Sequence, residues 1–256
     1  RERGYTRQDF VGKSGIEKRC ERFLAGAAGF EGIQVDSRGY LDRVLYRRDP
    51  VPGASVRLTV DLATQRAAEA ALEGEVGAVV ALDPTTGAVL AMASSPGYDP
   101  AAFIPPAETE LVRALMGDPA QPLVNRATQG IYAPGSTFKP IVALAALESG
   151  AISGETRFTC TGAFLLGRRP FRCWLEKGHG AVSVEDALMY SCNVFFYNAG
   201  HRAGRDELVR AASAFGFGEP TGIDLPGERA GVAPTAAWRE RRGIRAWYPG
   251  DTVVMS

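Results

Sequence analysis

Pro134-Gly135-Ser136-Thr137-Phe138-Lys139-Pro140 runs directly into the apolar segment 141–147, and the reading of the whole chain turns on this stretch. Pro134 and Gly135 form a turn. Ile141, Val142, Leu144 and Leu147 recur with helical spacing, and Gly150 closes the segment. The pattern predicts a helix over 136–149 with Ser136 at its start. One helical turn separates Ser136 from Lys139, which puts a hydroxyl and an amine on one face. Serine is a weak nucleophile at neutral pH, and a neighbouring lysine serves as its base only when burial or a nearby cation lowers the lysine pKa. The helix start adds free N–H groups and a positive dipole end, which favour negative charge developing at the serine. By itself Ser-x-x-Lys also describes an exposed capping serine and a solvated lysine, so the rest of the chain decides between them.

At 256 residues and 45% hydrophobic content, the chain can build one large or two modest globular domains. Its 29 basic residues balance 29 acidic ones, so net charge argues against nucleic acid or another polyanion as partner. The longest apolar stretches, 77–93 and 141–147, are too short or too interrupted to cross a bilayer, and the first residues show no signal-peptide pattern. Any membrane anchor of the parent protein is therefore expected outside this chain. The four cysteines are few for a disulfide scaffold, yet three fall between Cys160 and Cys192.

Residues 1–54 read as part of a small accessory domain and its linker, polar and without long apolar periodicity, with a turn at Arg38-Gly39-Tyr40 and a break at Pro50-Val51-Pro52-Gly53. Residues 55–256 read as the main domain. Alternation over 55–60 predicts a strand, and Asp61 is placed to cap a helix over 63–72. The apolar runs 77–82 and 88–93, joined by Asp83-Pro84-Thr85-Thr86-Gly87, predict a hairpin in a largely buried antiparallel sheet. Helical patterns follow over 108–116, 184–190, 194–203 and 205–215. Strands followed by several helices point to an α+β fold, a sheet covered by a helical layer. No internal repeat is evident.

Ser183-Val184-Glu185-Asp186 reads as a capping box opening a short helix that ends at Ser191-Cys192-Asn193, ahead of the aromatic run 194–197. A Ser-x-Asn triplet between two helices aims a hydroxyl and an amide into one cleft, although polar turns of this kind also simply punctuate helices.

Taken in order, these stretches resemble the penicillin-binding transpeptidases, and within them the class B, elongation-type group (penicillin-binding protein 2), whose fold is the penicillin-binding/serine β-lactamase-like one with a small N-terminal pedestal. The resemblance is carried by Val11-Gly12-Lys13-Ser14-Gly15-Ile16-Glu17, Leu58-Thr59-Val60-Asp61-Leu62, Asp83-Pro84-Thr85-Thr86-Gly87, Tyr98-Asp99-Pro100 and Asn125-Arg126-Ala127-Thr128-Gln129-Gly130. It continues in 134–140, Gly222-Ile223-Asp224-Leu225-Pro226 and Trp247-Tyr248-Pro249-Gly250-Asp251-Thr252. It implies that Ser136 attacks the penultimate D-alanine carbonyl of a peptidoglycan stem peptide, that Lys139 is the base, and that Ser191 and Asn193 relay protons and hold the peptide. β-Lactams are expected to acylate the same serine. The implied partners are stem peptides, the membrane-embedded glycan polymerase and other cell-wall elongation proteins, at the periplasmic face of a bacterial inner membrane.

The family also carries a Lys-Thr/Ser-Gly strand facing the serine, and no such motif follows Asn193 before Ser256. Lys13-Ser14-Gly15 precedes the nucleophile and reads as an ordinary turn. Loss of a single oxyanion donor costs about 2.7–4 kcal/mol, so the expectation is a transpeptidase parent protein and weak catalysis by this chain alone.

Cys160, Cys173, His179 and Cys192 follow the pattern C-x12-C-x5-H-x12-C. Three thiolates and an imidazole make a complete tetrahedral zinc set of the structural kind. A Cys160–Cys173 disulfide or plain buried thiols are alternatives. The resemblance favours zinc, because some elongation-type relatives bind it through matching positions. Such a metal would steady the loop holding Ser191 and Asn193. His201 and Cys20 stand apart from this set. Two other functions remain open at this level: a serine β-lactamase, separable by deacylation rate, and a non-catalytic relative that binds partners through residues 1–52.

Overall fold

The computed structural model describes residues 10–104, 109–244 and 246–256. It divides into two compact units, Arg1–Gly130 with Gly222–Arg229, and Ile131–Thr221 with Ala230–Ser256. Helices and antiparallel hairpins are mixed along the chain, as the α+β expectation requires. Among the described residues no helix is long and apolar enough to cross a membrane.

In the first unit, helix α1 (Gly15–Leu24) and the hairpin of β1 (Phe30–Val35) and β2 (Leu41–Arg48) occupy the region in which the sequence shows no long periodicity. The strands were not legible because they bury no face: Ile33, Val35, Leu41 and Val44 are all about half exposed, so no apolar-polar alternation is imposed on them. Their turn does lie at the expected place, where the Asp36 carboxylate accepts the N–H groups of Arg38 and Tyr40. Lys13-Ser14-Gly15 is the entry to α1, with Ser14 at its N-cap.

The strand expected over 55–60 is absent. Among the described residues this stretch, with Asp61 after it, is hydrogen-bonded to the next hairpin by Thr59 Oγ1 donating to the Val89 carbonyl at 2.6 Å and the Asp61 N–H to the Leu90 carbonyl at 2.9 Å. Asp61 then caps α2 (Leu62–Ala71) through the Thr64 N–H at 2.8 Å, which turns the chain away before a ladder forms. Strands β3 (Gly77–Leu82) and β4 (Val89–Ser95) pair as expected. Ala68 of α2 and Ala91 and Ala93 of β4 form a small core. The Gln65 amide ties helix to strand by accepting the Met92 N–H and donating to the Met92 carbonyl. The expectation of a largely buried sheet is only half met, because Val80 and Leu82 of β3 are exposed. Helix α3 (Thr109–Gly117) lies where helical spacing placed one, although Glu108 is outside the described residues, and α4 (Arg126–Gln129) follows it.

The second unit carries the main core. Helix α5 (Lys139–Glu148) is followed by two hairpins, one nested within the other: β5 (Phe158–Cys160) pairs with β8 (Gly180–Val182), and β6 (Ala163–Leu166) with β7 (Arg169–Arg172). Then come α6 (Val184–Met189), α7 (Asn193–Ala203), α8 (Arg205–Ala214), α9 (Ala236–Arg241) and α10 (Pro249–Met255). Helix α5 packs against both α7 and α8. Small residues on α5 and α8 (Ala145, Ala146, Ala211, Ala212) let the helices approach, while Phe195 and Phe196 of α7 fill the space between them. At Gly200 of α7 a Cβ would overlap the Ser256 hydroxyl, so a side chain there would push α10 away. Phe195 is wholly buried, with its ring centre 5.1 Å from that of Phe158. Phe195→Ala is expected to destabilise the protein by about 3–5 kcal/mol in urea unfolding. A change below about 1 kcal/mol would show that this cluster is not the centre of the core.

Candidate active site and metal centre

Ser136 lies in a tight 3-10 turn, Gly135–Phe138, and the α-helix proper begins at Lys139. The single helix expected over 136–149 is thus divided. Gly135 has a φ of 57°, which sets the turn, and Pro140 sits in the first turn of α5, where its missing N–H leaves no acceptor unsatisfied. Lys139 is 6% exposed, buried by the packing of α5 on α7. The expected capping box opens α6, with Ser183 Oγ accepting the Asp186 N–H at 3.2 Å and the Asp186 carboxylate accepting the Ser183 N–H at 3.0 Å. After this helix the chain returns to Lys139 through Ser191, whose φ of 53° places a non-glycine residue in the left-handed region. Such a residue costs about 1–2 kcal/mol and persists where its surroundings hold it.

Here the surroundings are Lys139. Its Nζ donates to the Ser191 carbonyl at 2.8 Å, to Ser191 Oγ at 2.9 Å and to Asn193 Oδ1 at 2.7 Å. Ser191 Oγ in turn donates to Ser136 Oγ at 3.0 Å. The serine hydroxyl is therefore linked to the lysine through Ser191 rather than by a direct bond, a correction to the simple picture of two groups one helical turn apart. The left-handed turn allows both oxygens of Ser191 to face the amine. Asn193 is oriented by its Nδ2, which donates to the Arg172 carbonyl at 3.4 Å, and this fixes which amide atom meets Lys139.

The three acceptors differ in a way that has a chemical consequence. An ammonium has three donors and satisfies all of them, whereas a neutral amine has two N–H groups and a lone pair. A carbonyl and an amide oxygen can only accept, so they retain the two N–H groups. The lone pair is left facing Ser191 Oγ, the one partner able to reverse its bond. The neutral lysine thus sets a proton path from Ser136 Oγ to Ser191 Oγ to Lys139 Nζ. Burial holds the Lys139 pKa below the ordinary lysine range, opposed by negative charge on the nearby sulfurs of Cys173 and Cys192. The Phe196 ring lies 5.6 Å beneath the nitrogen and contributes to that enclosure.

Cys160, Cys173, His179 and Cys192 are brought together by the nested hairpins and the start of α7. Their ligand atoms all lie within 4.8 Å of one another, and all four cysteines of the chain are free thiols. Cys173 Sγ and His179 Nδ1 are 3.6 Å apart. Zinc bonds of about 2.3 Å to sulfur and 2.0–2.1 Å to nitrogen at tetrahedral angles separate neighbouring donors by roughly 3.6–3.8 Å. The donor set therefore fits a tetrahedral metal, and its composition fits zinc. Burial pushes the Cys192 thiol up to about 12. Cys173 is also penalised by burial, yet the backbone N–H groups of Leu175, Val194 and Asn193 hold it below the ordinary thiol value, the condition in which a thiolate ligand is ready. His179 is stacked on Tyr190 and meets Trp174 edge-on, which fixes its ring. These aromatic residues, Phe196 and the Arg172 carbonyl support the site without any signal in motif spacing. His201 lies in the last turn of α7, 6.0 Å from the Phe164 ring, and Cys20 is in α1, so neither belongs to the cluster.

The profile of the penicillin binding protein transpeptidase domain matches residues 77–248, two thirds of the chain, and that of the penicillin-binding protein dimerisation domain matches residues 1–58. The chain belongs to the penicillin-binding protein transpeptidase family. Among relatives, peptidoglycan D,D-transpeptidase MrdA of Escherichia coli K12 is 41% identical over 251 residues, 97% of this chain and 40% of that protein. The chain thus spans well under half the length of this relative. Pseudomonas aeruginosa PBP2, solved in complex with WCK 5153, is similar over 96% of this chain and 51% of its own, with 38% identity and a TM-score of 0.83. Helicobacter pylori PBP2, solved in a complex with MreC, is similar over 95% and 46%, with 31% identity and a TM-score of 0.85. These matches establish the penicillin-binding transpeptidase fold.

Proposed function

We propose that the protein carrying this chain is a peptidoglycan D,D-transpeptidase of cell elongation, with Ser136 as nucleophile. The hydrogen-bonded line from Lys139 Nζ through Ser191 Oγ to Ser136 Oγ carries this reading. In it, Ser136 Oγ attacks the penultimate D-alanine carbonyl of a stem peptide. Its proton passes to Ser191 Oγ, and the Ser191 proton moves to the neutral Lys139 amine. The nitrogen of the terminal D-alanine takes that proton from Lys139 through Ser191 Oγ as its C–N bond breaks; an amine of a neighbouring stem then attacks the acyl carbonyl, and its proton passes to Ser136 Oγ as the ester bond breaks. Asn193 holds Lys139 and the peptide. β-Lactams acylate the same serine.

In this reading residues 1–54 belong to the pedestal domain and linker, and residues 55–256 to the transpeptidase domain. Cys160, Cys173, His179 and Cys192 hold a structural zinc, which supplies a cross-link between the nested hairpins and the catalytic loop and takes no part in bond-making. The partners are stem peptides, the membrane-embedded glycan polymerase and other elongation proteins at the periplasmic face of the inner membrane. The MreC complex of the H. pylori relative supports the elongation setting.

Incubation of the protein with a penicillin, followed by digestion and mass spectrometry, tests the proposal. A long-lived penicilloyl group on Ser136 is expected. An adduct on another residue would remove Ser136 as nucleophile, and rapid turnover of the antibiotic would assign a β-lactamase instead.

A further inference from the structure

The catalytic cluster leaves one buried charge unexplained. Arg239 of α9 is 7% exposed, and its Nε and Nη2 are shut off from water with no hydrogen-bond partner among the described residues. Its guanidinium carbon stands 5.0 Å from the centre of the Trp247 ring, and that of Arg205, the first residue of α8, stands 5.7 Å from the same ring. The indole is held in place, because its Nε1 donates at 2.8 Å to Oγ1 of Thr252, itself only 5% exposed. Arg205 has Asp206 as a counter-charge at 2.5 Å, whereas among the described residues no acceptor meets the buried edge of Arg239.

Arginine does not lose its proton in a protein, so this group cannot escape burial by becoming neutral. Buried charges are retained where an opposite charge and hydrogen-bond partners meet them. The two orphaned nitrogens share one side of the guanidinium, the side that receives a carboxylate in a side-on pair. Arg19 uses that side elsewhere in the chain: its Nε and Nη2 donate to Asp224 Oδ1 at 3.1 and 2.8 Å. Stacking on a fixed indole sets the plane of the Arg239 fork, and Arg205 adds a second positive charge against the same ring.

We propose that the Nε–Nη2 edge of Arg239 is a carboxylate receptor, distinct from the acyl-transfer site. Arg205 follows α7, whose 11 residues from Asn193 rise about 16 Å, so the receptor stands at the opposite end of that helix from the catalytic asparagine. The chemistry required is two oxygens sharing one negative charge. A free small carboxylate supplies it, and so does an acidic side chain of a protein segment. The two nitrogens are closed to solvent in this structure, so either source has to displace what covers them.

Arginine-selective 15N labelling reads the edge directly. Spectra are recorded in chloride buffer and through a sodium acetate titration at constant ionic strength. Arg239→Lys, which keeps the charge but lacks the resonance, identifies the Arg239 Nε–H, and Overhauser contacts to the Trp247 indole identify it independently. A saturable downfield shift of this proton with acetate is expected if the ligand is a free carboxylate. A proton already downfield in chloride and unmoved by acetate assigns the edge to a protein carboxylate. A proton at the position of solvated arginines throughout, or one that moves only as they do, overturns the proposal.

Discussion

Lys139→Ala is expected to slow penicillin acylation of Ser136 by about a thousandfold, within the range of roughly 10²–10⁴ typical of a lost general base. The mutation removes the group that donates to the Ser191 carbonyl, Ser191 Oγ and Asn193 Oδ1 together. Ser191→Ala is expected to have an effect of the same order, because it breaks the path between lysine and nucleophile while leaving Lys139 held by two acceptors. The double variant should then be little slower than either single one, since groups acting as a unit lose their effect once. Stopped-flow acylation rates decide the matter: near-normal acylation by Ser191→Ala would mean that Lys139 reaches Ser136 without the relay.

The pH dependence follows from the same geometry. Burial lowers the Lys139 pKa, so the neutral amine, the active form, becomes populated below the ordinary lysine value of about 10.4. The acylation rate should rise as pH increases through this lowered value and level off above it. Below it the charged lysine donates all three of its hydrogens and accepts none. Lys139→Arg, charged at every accessible pH, should show no such rise.

Removal of the metal is the second large effect. The protein is expected to hold one zinc per chain, and its loss to a strong chelator or through Cys192→Ser should destabilise the second unit. A loss of roughly 3 kcal/mol corresponds to a fall of about 10 °C in Tm for a domain of this size. Acylation should fall too, by about 10–100-fold, because Cys192 separates Ser191 from Asn193 and its release frees both. Acidification should have the same result as chelation, since protons compete with a metal for its thiolate and imidazole ligands and the metal leaves as pH falls. Metal analysis with calorimetry checks this, and a metal-free protein with an unchanged Tm would exclude a structural zinc at these four residues.

Local chemistry written over a few residues was legible in the chain itself: the Ser136–Lys139 pair at a helix start, the Ser183–Asp186 capping box and the hairpin around 83–87. Each rests on near-neighbour geometry, the rise of one helical turn or the reach of one side chain to the next few amides, so the order of residues determines it. The β1 and β2 strands were not legible, since strands that bury no face leave no periodic trace. The resemblance implied a relay through Ser191, but only the tertiary structure gave its geometry between nucleophile and base, because that depends on α5 and α7 packing together and on a left-handed residue that no propensity favours. It also decided that nested hairpins gather the four metal donors and that Arg239 is sealed against Trp247. Residues tens of positions apart meet only when helices close on a shared core, and their separation then reflects the packing of Phe195, Phe196 and the alanines of α5 and α8 rather than any spacing in the sequence.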